Sequence, residues 1–169
     1  MNPMFLGDSY DIVKRFFCQE LSNLGYEVAI DPLFTGDWGG KETEFHGLVL
    51  AKHRRELSHG ASRTALLLDP DTGVRPKPGK SHVSFQRIAD EAQVHNLVFA
   101  FDQSFAHGAP PSAMHDKLSS LRGLGLSAMY YDSHVRFLFA SKEGETIDEI
   151  RKHLLGLGLP SWRLIQAGA

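Results

Sequence analysis

The segment ALLLDPD, residues 65–71, decides the fold. Its first four residues are all apolar, as in a strand that is buried on both faces of a parallel sheet. Proline then ends the strand, because it has no N–H group to donate to a neighbouring strand. A second run of this kind, Leu97 to Phe101, is followed by Asp102. The two segments predict central strands of an α/β protein.

The sequence on either side alternates between helical and strand patterns. Apolar residues recur at helical spacing in residues 12–24 and 85–92, and Tyr26 to Ile30 has the pattern of a further strand. Strands that alternate with helices predict a mostly parallel sheet between two layers of helices. We therefore expect residues 1–169 to form a single three-layer α/β/α domain of Rossmann-like type.

The C-terminal third has a different pattern. Ser127 to Asp132 and Val135 to Ala140 are separated by only two residues, which predicts an antiparallel hairpin. Thr146 and Glu149 have the spacing of a capping box at the start of a helix. Residues 162–165 are expected to form an edge strand.

Two segments near the N-terminus are harder to assign from their patterns. Residues 4–7 are mainly apolar, and we interpret them as a short first strand. Residues 42–55 have helical spacing, and the alternative is a short strand at Leu48 to Leu50; the helix is the better match.

Composition limits the class of protein. The chain has a net charge of −2 and one cysteine, Cys18, so a disulfide within the chain is impossible. No apolar run approaches the roughly 20 residues that span a bilayer. The first residues lack the basic and apolar regions of a signal peptide. We expect a cytoplasmic protein without membrane contact.

Aspartates follow most of the predicted strands. Right-handed crossovers would bring the carboxyl ends of parallel strands, and with them these aspartates, to one edge of the sheet. Asp69 and Asp71 are the predicted ligands of Mg²⁺, a cation that takes carboxylate oxygens. Asp102 is the predicted third ligand or general base. Turn formation is the alternative role, because aspartate is common in turns. The full set is Asp31, Asp69, Asp71, Asp102 and Asp132.

A basic segment follows the aspartate pair. Arg75, Lys77 and Lys80 are predicted to bind the phosphates of a substrate, and His82 to assist catalysis. A solvated loop without such a role is the alternative.

Two families resemble this region of the chain. Asp69-Pro70-Asp71, preceded by a strand and followed by Gly73, is similar to the magnesium-binding motif of Toprim domains. That resemblance implies Mg²⁺-dependent phosphoester chemistry on nucleic acid, with Asp8 as the nearest counterpart of an upstream acid.

The same segment resembles the Asp-Pro-Pro-aromatic motif of nucleic-acid methyltransferases, where it lies beside the target base. That resemblance implies a Rossmann-like fold and S-adenosylmethionine bound near Gly7, Asp8 and Asp31. The sequence therefore leaves three functions open. They are a magnesium-dependent enzyme acting on nucleic acid or another phosphate-containing substrate, an active or degenerate methyltransferase-like domain, and a non-catalytic module that binds an unknown partner.

Overall fold

The computed structural model describes residues 2–58, 61–77, 79–105 and 111–166. The helices are α1 (Ser9–Asn23), α2 (Glu42–Val49), α3 (Phe85–Glu91), α4 (Pro111–Gly123) and α5 (Gly144–Gly156). The strands are β1 (Glu27–Pro32), β2 (Lys52–His53), β3 (Thr64–Asp69), β4 (Gly73–Arg75), β5 (His82–Ser84), β6 (Leu97–Phe101), β7 (Ser127–Tyr131), β8 (Phe137–Ser141) and β9 (Leu164–Gln166).

Seven strands form one mixed sheet in the order β2-β1-β3-β6-β8-β7-β9. The first four strands in this order pair in parallel. Strand β8 is antiparallel to both of its neighbours, β6 and β7, and β9 is antiparallel to β7. The predicted α/β class with a mostly parallel sheet is confirmed. The end of the sheet at which β1, β3 and β6 terminate is called the carboxyl edge below.

Residues of the central strands alternate between two apolar clusters. Leu67 belongs to the cluster that contains buried residues of α1, α2 and α5. Leu66 and Leu68 belong to the cluster that contains buried residues of α3 and α4. Because successive strand residues point to opposite faces of a sheet, the two clusters lie on opposite faces. They are called the α1 face and the α3 face below.

The first predicted strand is wrong. Residues Pro3–Phe5 form a 3₁₀ helix, in which the side chain of Asn2 accepts a hydrogen bond from the Met4 N–H. Proline at the first helical position favours this conformation, because its fixed φ suits a helix and its missing N–H has no partner there. Met4 and Phe5 are exposed rather than paired in the sheet.

Two helix boundaries also differ from the sequence prediction. Helix α2 ends at Val49 because Leu50 has a left-handed backbone, with φ of 57°, and the chain then pairs with β1 as β2. Helix α5 begins at Gly144, two residues before Thr146, and Thr146 is buried inside the helix. Thr146 and Glu149 therefore have the sequence spacing of a capping box, but Thr146 lies within the helix on its buried side and not at the N-cap position.

No helix in the described part of the chain is long and apolar enough to cross a bilayer.

Candidate functional site

A cleft of about 230 Å³ opens at the carboxyl edge, between the start of α1 and the ends of β3 and β6. The segment before α1 forms one wall, and the residues that follow β3 and β6 form the other. The lining residues are Asn2, Phe5, Asp8, Tyr10, Asp11, Lys14, Asp69, Pro70, Asp71, Phe101 and Gln103.

The first turn of α1 directs charged groups toward this cleft. Asp8 caps the helix, because its side chain accepts hydrogen bonds from the backbone N–H groups of Tyr10 and Asp11. Asp11 accepts a hydrogen bond from the Gly7 N–H through Oδ2 at 2.9 Å. Its other oxygen accepts from Lys14, one turn further along the helix.

The Lys14 ammonium lies between two buried carboxylates. Its Nζ is 3.0 Å from Oδ1 of Asp11 and 2.9 Å from Oδ2 of Asp69, and all three side chains are almost completely buried. Burial lowers the pKa of Lys14, but the two carboxylates outweigh that effect and leave it above its ordinary value. Lys14 is therefore a charged group at the floor of the cleft.

Asp69 has one unused acceptor. Within the described residues, its Oδ1 is buried and has no hydrogen-bond partner, whereas Oδ2 accepts from Lys14. Burial raises the pKa of Asp69, and the neighbouring ammonium opposes this rise. A buried acceptor without a partner costs about 1–3 kcal/mol, so a ligand that donates to Oδ1 would recover that free energy.

Aromatic rings form the apolar part of the cleft. The Lys14 ammonium lies 4.9 Å from the centre of the Phe101 ring, which meets the Tyr10 ring edge-on at 5.5 Å. Phe5, from the N-terminal 3₁₀ helix, is 56% exposed and also lines the cleft. These rings could contact the faces of a planar ligand.

The predicted metal pair, Asp69 and Asp71, lies at this cleft. Asp71 accepts a hydrogen bond from the Thr35 hydroxyl at 2.6 Å. Burial raises the pKa of Asp71, but the hydrogen bond and nearby positive charge lower it overall. Asp71 is thus held as a carboxylate at the rim, above the buried Asp69.

Asp102 lies outside this cleft and has a full set of partners. Its Oδ1 accepts from the Val74 N–H at 2.9 Å and from the Ser104 hydroxyl at 2.7 Å. Its Oδ2 accepts from Lys117 at 2.5 Å and from the Tyr130 hydroxyl. Burial lowers the pKa of Lys117, against the opposing effect of Asp102. This arrangement holds β4 against the end of β6.

Asp69 and Asp102 point in opposite directions, so the expected convergence of the strand-end aspartates is wrong for this pair. Leu68 pairs with Ala100 in the sheet, which places Asp69 opposite Phe101 and Asp102 one residue further on. Because side chains alternate along a strand, Asp69 faces α1 and Asp102 faces α4. The strands are adjacent, as expected, but one residue of offset places their carboxylates on opposite faces of the sheet.

The residues predicted to bind S-adenosylmethionine also lie on opposite faces of the sheet. Asp31 lies on the α3 face, where its Oδ2 is 2.6 Å from both Arg54 and Arg87. Gly7 and Asp8 precede α1 on the other face, and of these two only Asp8 lines the cleft. Asp132, the last of the strand-end aspartates, forms an ion pair with Arg136.

The part of the chain that the structure describes contains no group of three or more His, Cys, Asp and Glu side chains able to hold a metal ion. The position between Asp11 and Asp69 is taken by the Lys14 ammonium. A cation here is therefore supplied by the chain itself.

The predicted phosphate-binding residues are available to solvent. Arg75, Lys77 and Lys80 are exposed. His82 does not line the cleft. Its ring packs against Gly79, where an added Cβ would lie only 2.3 Å from a ring carbon, and so closes the loop between β4 and β5.

Lys14 and Asp11 are the charged cleft residues that the sequence analysis missed. The buried residues of α1 are Asp11, Lys14, Phe17, Cys18 and Leu21, which recur at helical spacing. A lysine and an aspartate three residues apart within the buried stripe of a helix were the available signal.

The chain matches no protein-family model, no curated protein and no solved structure.

Proposed function

We propose that this chain is a methyltransferase-like domain that binds a nucleobase in the cleft and does not transfer a methyl group. The ligand is adenine or cytosine, bases that carry an exocyclic amino group. The unpartnered Oδ1 of Asp69, at the end of β3, carries this proposal. An amino group is the matching donor, and the resemblance to nucleic-acid methyltransferases associates this strand end with a base.

The aromatic rings supply the second part of the site. A base whose amino group faces Asp69 has its ring faces free to contact Tyr10, Phe101 or Phe5. Stacking on aromatic side chains and hydrogen bonding to the base edge are the two usual means of holding an unstacked base.

We propose binding rather than methyl transfer because Gly7 and Asp8 lie on the opposite face of the sheet from Asp31. The Asp31 carboxylate is held by two guanidinium groups on the opposite face, so these residues do not fit S-adenosylmethionine as one site. The Lys14 ammonium between Asp11 and Asp69 likewise favours base binding over a magnesium-dependent reaction.

The same proposal includes the finer description of the fold. The two apolar clusters, one with α1, α2 and α5 and one with α3 and α4, support a three-layer Rossmann-like arrangement. The antiparallel pairing of β7 and β8 supports a C-terminal hairpin. The single cysteine and the absence of a spanning helix among described residues agree with a cytoplasmic location.

The test compares ligands in which a carbonyl oxygen replaces the amino group and the adjacent ring nitrogen carries a hydrogen. Calorimetric titration should show that adenosine binds about 10- to 100-fold more tightly than inosine, because inosine has an acceptor where adenosine has a donor. Cytidine and uridine form a second pair with the same difference. Equal affinities within both pairs, or no binding of any of the four nucleosides, would refute the proposal.

The variant Asp69→Asn should reverse the preference between adenosine and inosine, which is a more specific result than a loss of binding. The amide oxygen of the variant must face the Lys14 N–H donors, so its NH₂ group faces the cleft. We expect the preference to change from adenosine to inosine. Asp102→Asn is the matched control, because Asp102 is equally buried and paired with a lysine but lies on the other face. The control should leave the preference for adenosine intact.

A further inference from the structure

The charge of the cleft restricts where a phosphate can lie. Among the described residues, four aspartates and one lysine line it. Two like charges 4 Å apart repel each other by about 4 kcal/mol at an effective dielectric constant of 20. A nucleotide can therefore place its base in the cleft only if its phosphates lie outside.

Cations are concentrated on the segment that follows Asp71, a residue that lines the cleft. Arg75 ends β4, and Lys77 and Lys80 follow in the connection to β5. The Val74 N–H donates to Asp102, whose neighbour Gln103 lines the cleft. Val74 belongs to the cluster of the α3 face, so β4 lies across the carboxyl edge from the cleft. The three exposed cations, called the basic rim below, lie at the end of β4 and in the connection that follows it.

A further ring, that of Phe105, packs against the apolar cluster of the α3 face. The Lys117 ammonium is 4.1 Å from the centre of the half-buried Phe105 ring, and the Arg136 guanidinium is 5.4 Å from it. Phe105 is two residues from Gln103, so their backbones are at most about 7 Å apart. Aromatic rings beside cations are typical of grooves that bind single-stranded nucleic acid.

We infer that the ligand of this site is single-stranded nucleic acid, with one base in the cleft, its backbone crossing the carboxyl edge of the sheet to the basic rim and a neighbouring base against Phe105. The inference rests on the proposed base-binding function, which it deepens by naming the substrate class. A net charge of −2 for the whole chain makes a non-specific coating of nucleic acid a poor explanation, since the cations that serve here are local.

The experiment measures fluorescence anisotropy of a labelled oligodeoxyadenylate of about 10 nucleotides, with adenosine titrated in parallel. The oligonucleotide should bind more tightly than adenosine. The double variant Lys77→Gln/Lys80→Gln should weaken oligonucleotide binding, and should reduce the slope of log affinity against log salt by about 1.4, or 0.7 for each lost contact. Its affinity for adenosine should not change.

The control variant is Arg55→Gln/Lys142→Gln. It removes the same charge from exposed residues, and Lys142 follows β8 at the opposite edge of the sheet. This variant should retain the wild-type affinity and salt slope. Phe105→Leu should weaken oligonucleotide binding about fivefold or more and leave adenosine binding unchanged.

Any other outcome would contradict a specific part of the further inference or of the proposed function. If adenosine binds but the Lys77/Lys80 variant holds the oligonucleotide as tightly as wild type does, the inference is wrong and the proposed function stands. Equal affinity for a duplex of the same length overturns the single-strand claim. If neither adenosine nor the oligonucleotide binds, both proposals fail. An oligonucleotide that binds and depends on the two lysines, without adenosine binding, supports the basic rim and refutes base recognition by Asp69.

Discussion

At the scale of single residues, the positive charge of Lys14 offsets the negative charges of two buried carboxylates. Lys14→Met should lower the free energy of unfolding by about 3–5 kcal/mol, because it leaves Asp11 and Asp69 buried without their cation. Denaturant unfolding measures this loss. Arg15→Gln is the control on the same helix, since Arg15 is exposed, and it should change stability by no more than about 0.5 kcal/mol. A loss below about 1 kcal/mol for Lys14→Met would contradict the buried ion pair.

At the same scale, Gly73 occupies a position that requires a residue without a side chain. Its φ is +101°, and an added Cβ would lie 2.1 Å from Oδ1 of Asp102 and 2.7 Å from the Gln103 nitrogen. Gly73→Ala therefore combines backbone strain with a collision. Gly25→Ala isolates the strain alone, because Gly25 has φ of +84° and open space where its Cβ would be.

We expect Gly25→Ala to cost about 1–2 kcal/mol and Gly73→Ala to cost at least about 2 kcal/mol more, measured by denaturant unfolding of both variants. Equal losses would mean that β4 does not pack against Asp102 at this distance.

At the scale of elements, β8 joins the parallel part of the sheet to β7. Phe139 on this strand is completely buried and stacks on Phe99 with ring centres 5.8 Å apart. Phe139→Ala should reduce the free energy of unfolding by about 3–5 kcal/mol through lost contacts and the remaining cavity. Trp162→Ala, at a position that is 66% exposed, should cost less than about 1 kcal/mol. Thermal unfolding of both variants would show whether the difference between them holds.

The sequence predicted the central strands because their apolar runs are bounded by proline and aspartate. It could not show which face each terminal aspartate occupies. That depends on the register between β3 and β6, which involves residues about 30 positions apart. The assignment of residues 4–7 as a strand failed for a local reason, because apolar composition outweighed the helix-starting signal of Asn2 and Pro3.

The residues of the cleft could be predicted from the sequence only where a strong local pattern marks them. Asp69 and Asp71 were chosen as candidates because they follow the strongest strand signal, and both line the cleft. Lys14 was not chosen, because a charged residue on a helix is normally assigned to solvent. The cleft depends on the packing of α1 against the sheet, which periodicity alone does not specify.

At the scale of the whole molecule, stability should depend on pH through His95. Burial lowers the pKa of His95 below its ordinary value of 6.5, although Glu91 opposes this effect. The neutral ring is therefore the form that the fold favours. The stability it contributes is present above pH 6.5 and is lost as the pH falls from 6.5 toward the lower pKa of the folded state.

Unfolding free energies of wild type and His95→Gln between pH 7.5 and 5 test this expectation. The wild-type curve should fall more steeply than that of the variant, by no more than about 1.4 kcal/mol for each pH unit. His115→Gln, at an exposed position, should follow the wild-type curve. Parallel curves for wild type and His95→Gln would contradict the lowered pKa.

The insertion of β8 between β6 and β7 has a consequence for synthesis on the ribosome. Strand β6 is complete at Phe101, but its second neighbour, β8, ends at Ser141, so about 40 further residues must emerge before that edge is covered. Strand β7 emerges earlier but pairs only with β8 and β9. An uncovered apolar edge promotes pairing with other chains. The nascent chain should therefore be most dependent on chaperones between the release of β6 and the arrival of β8.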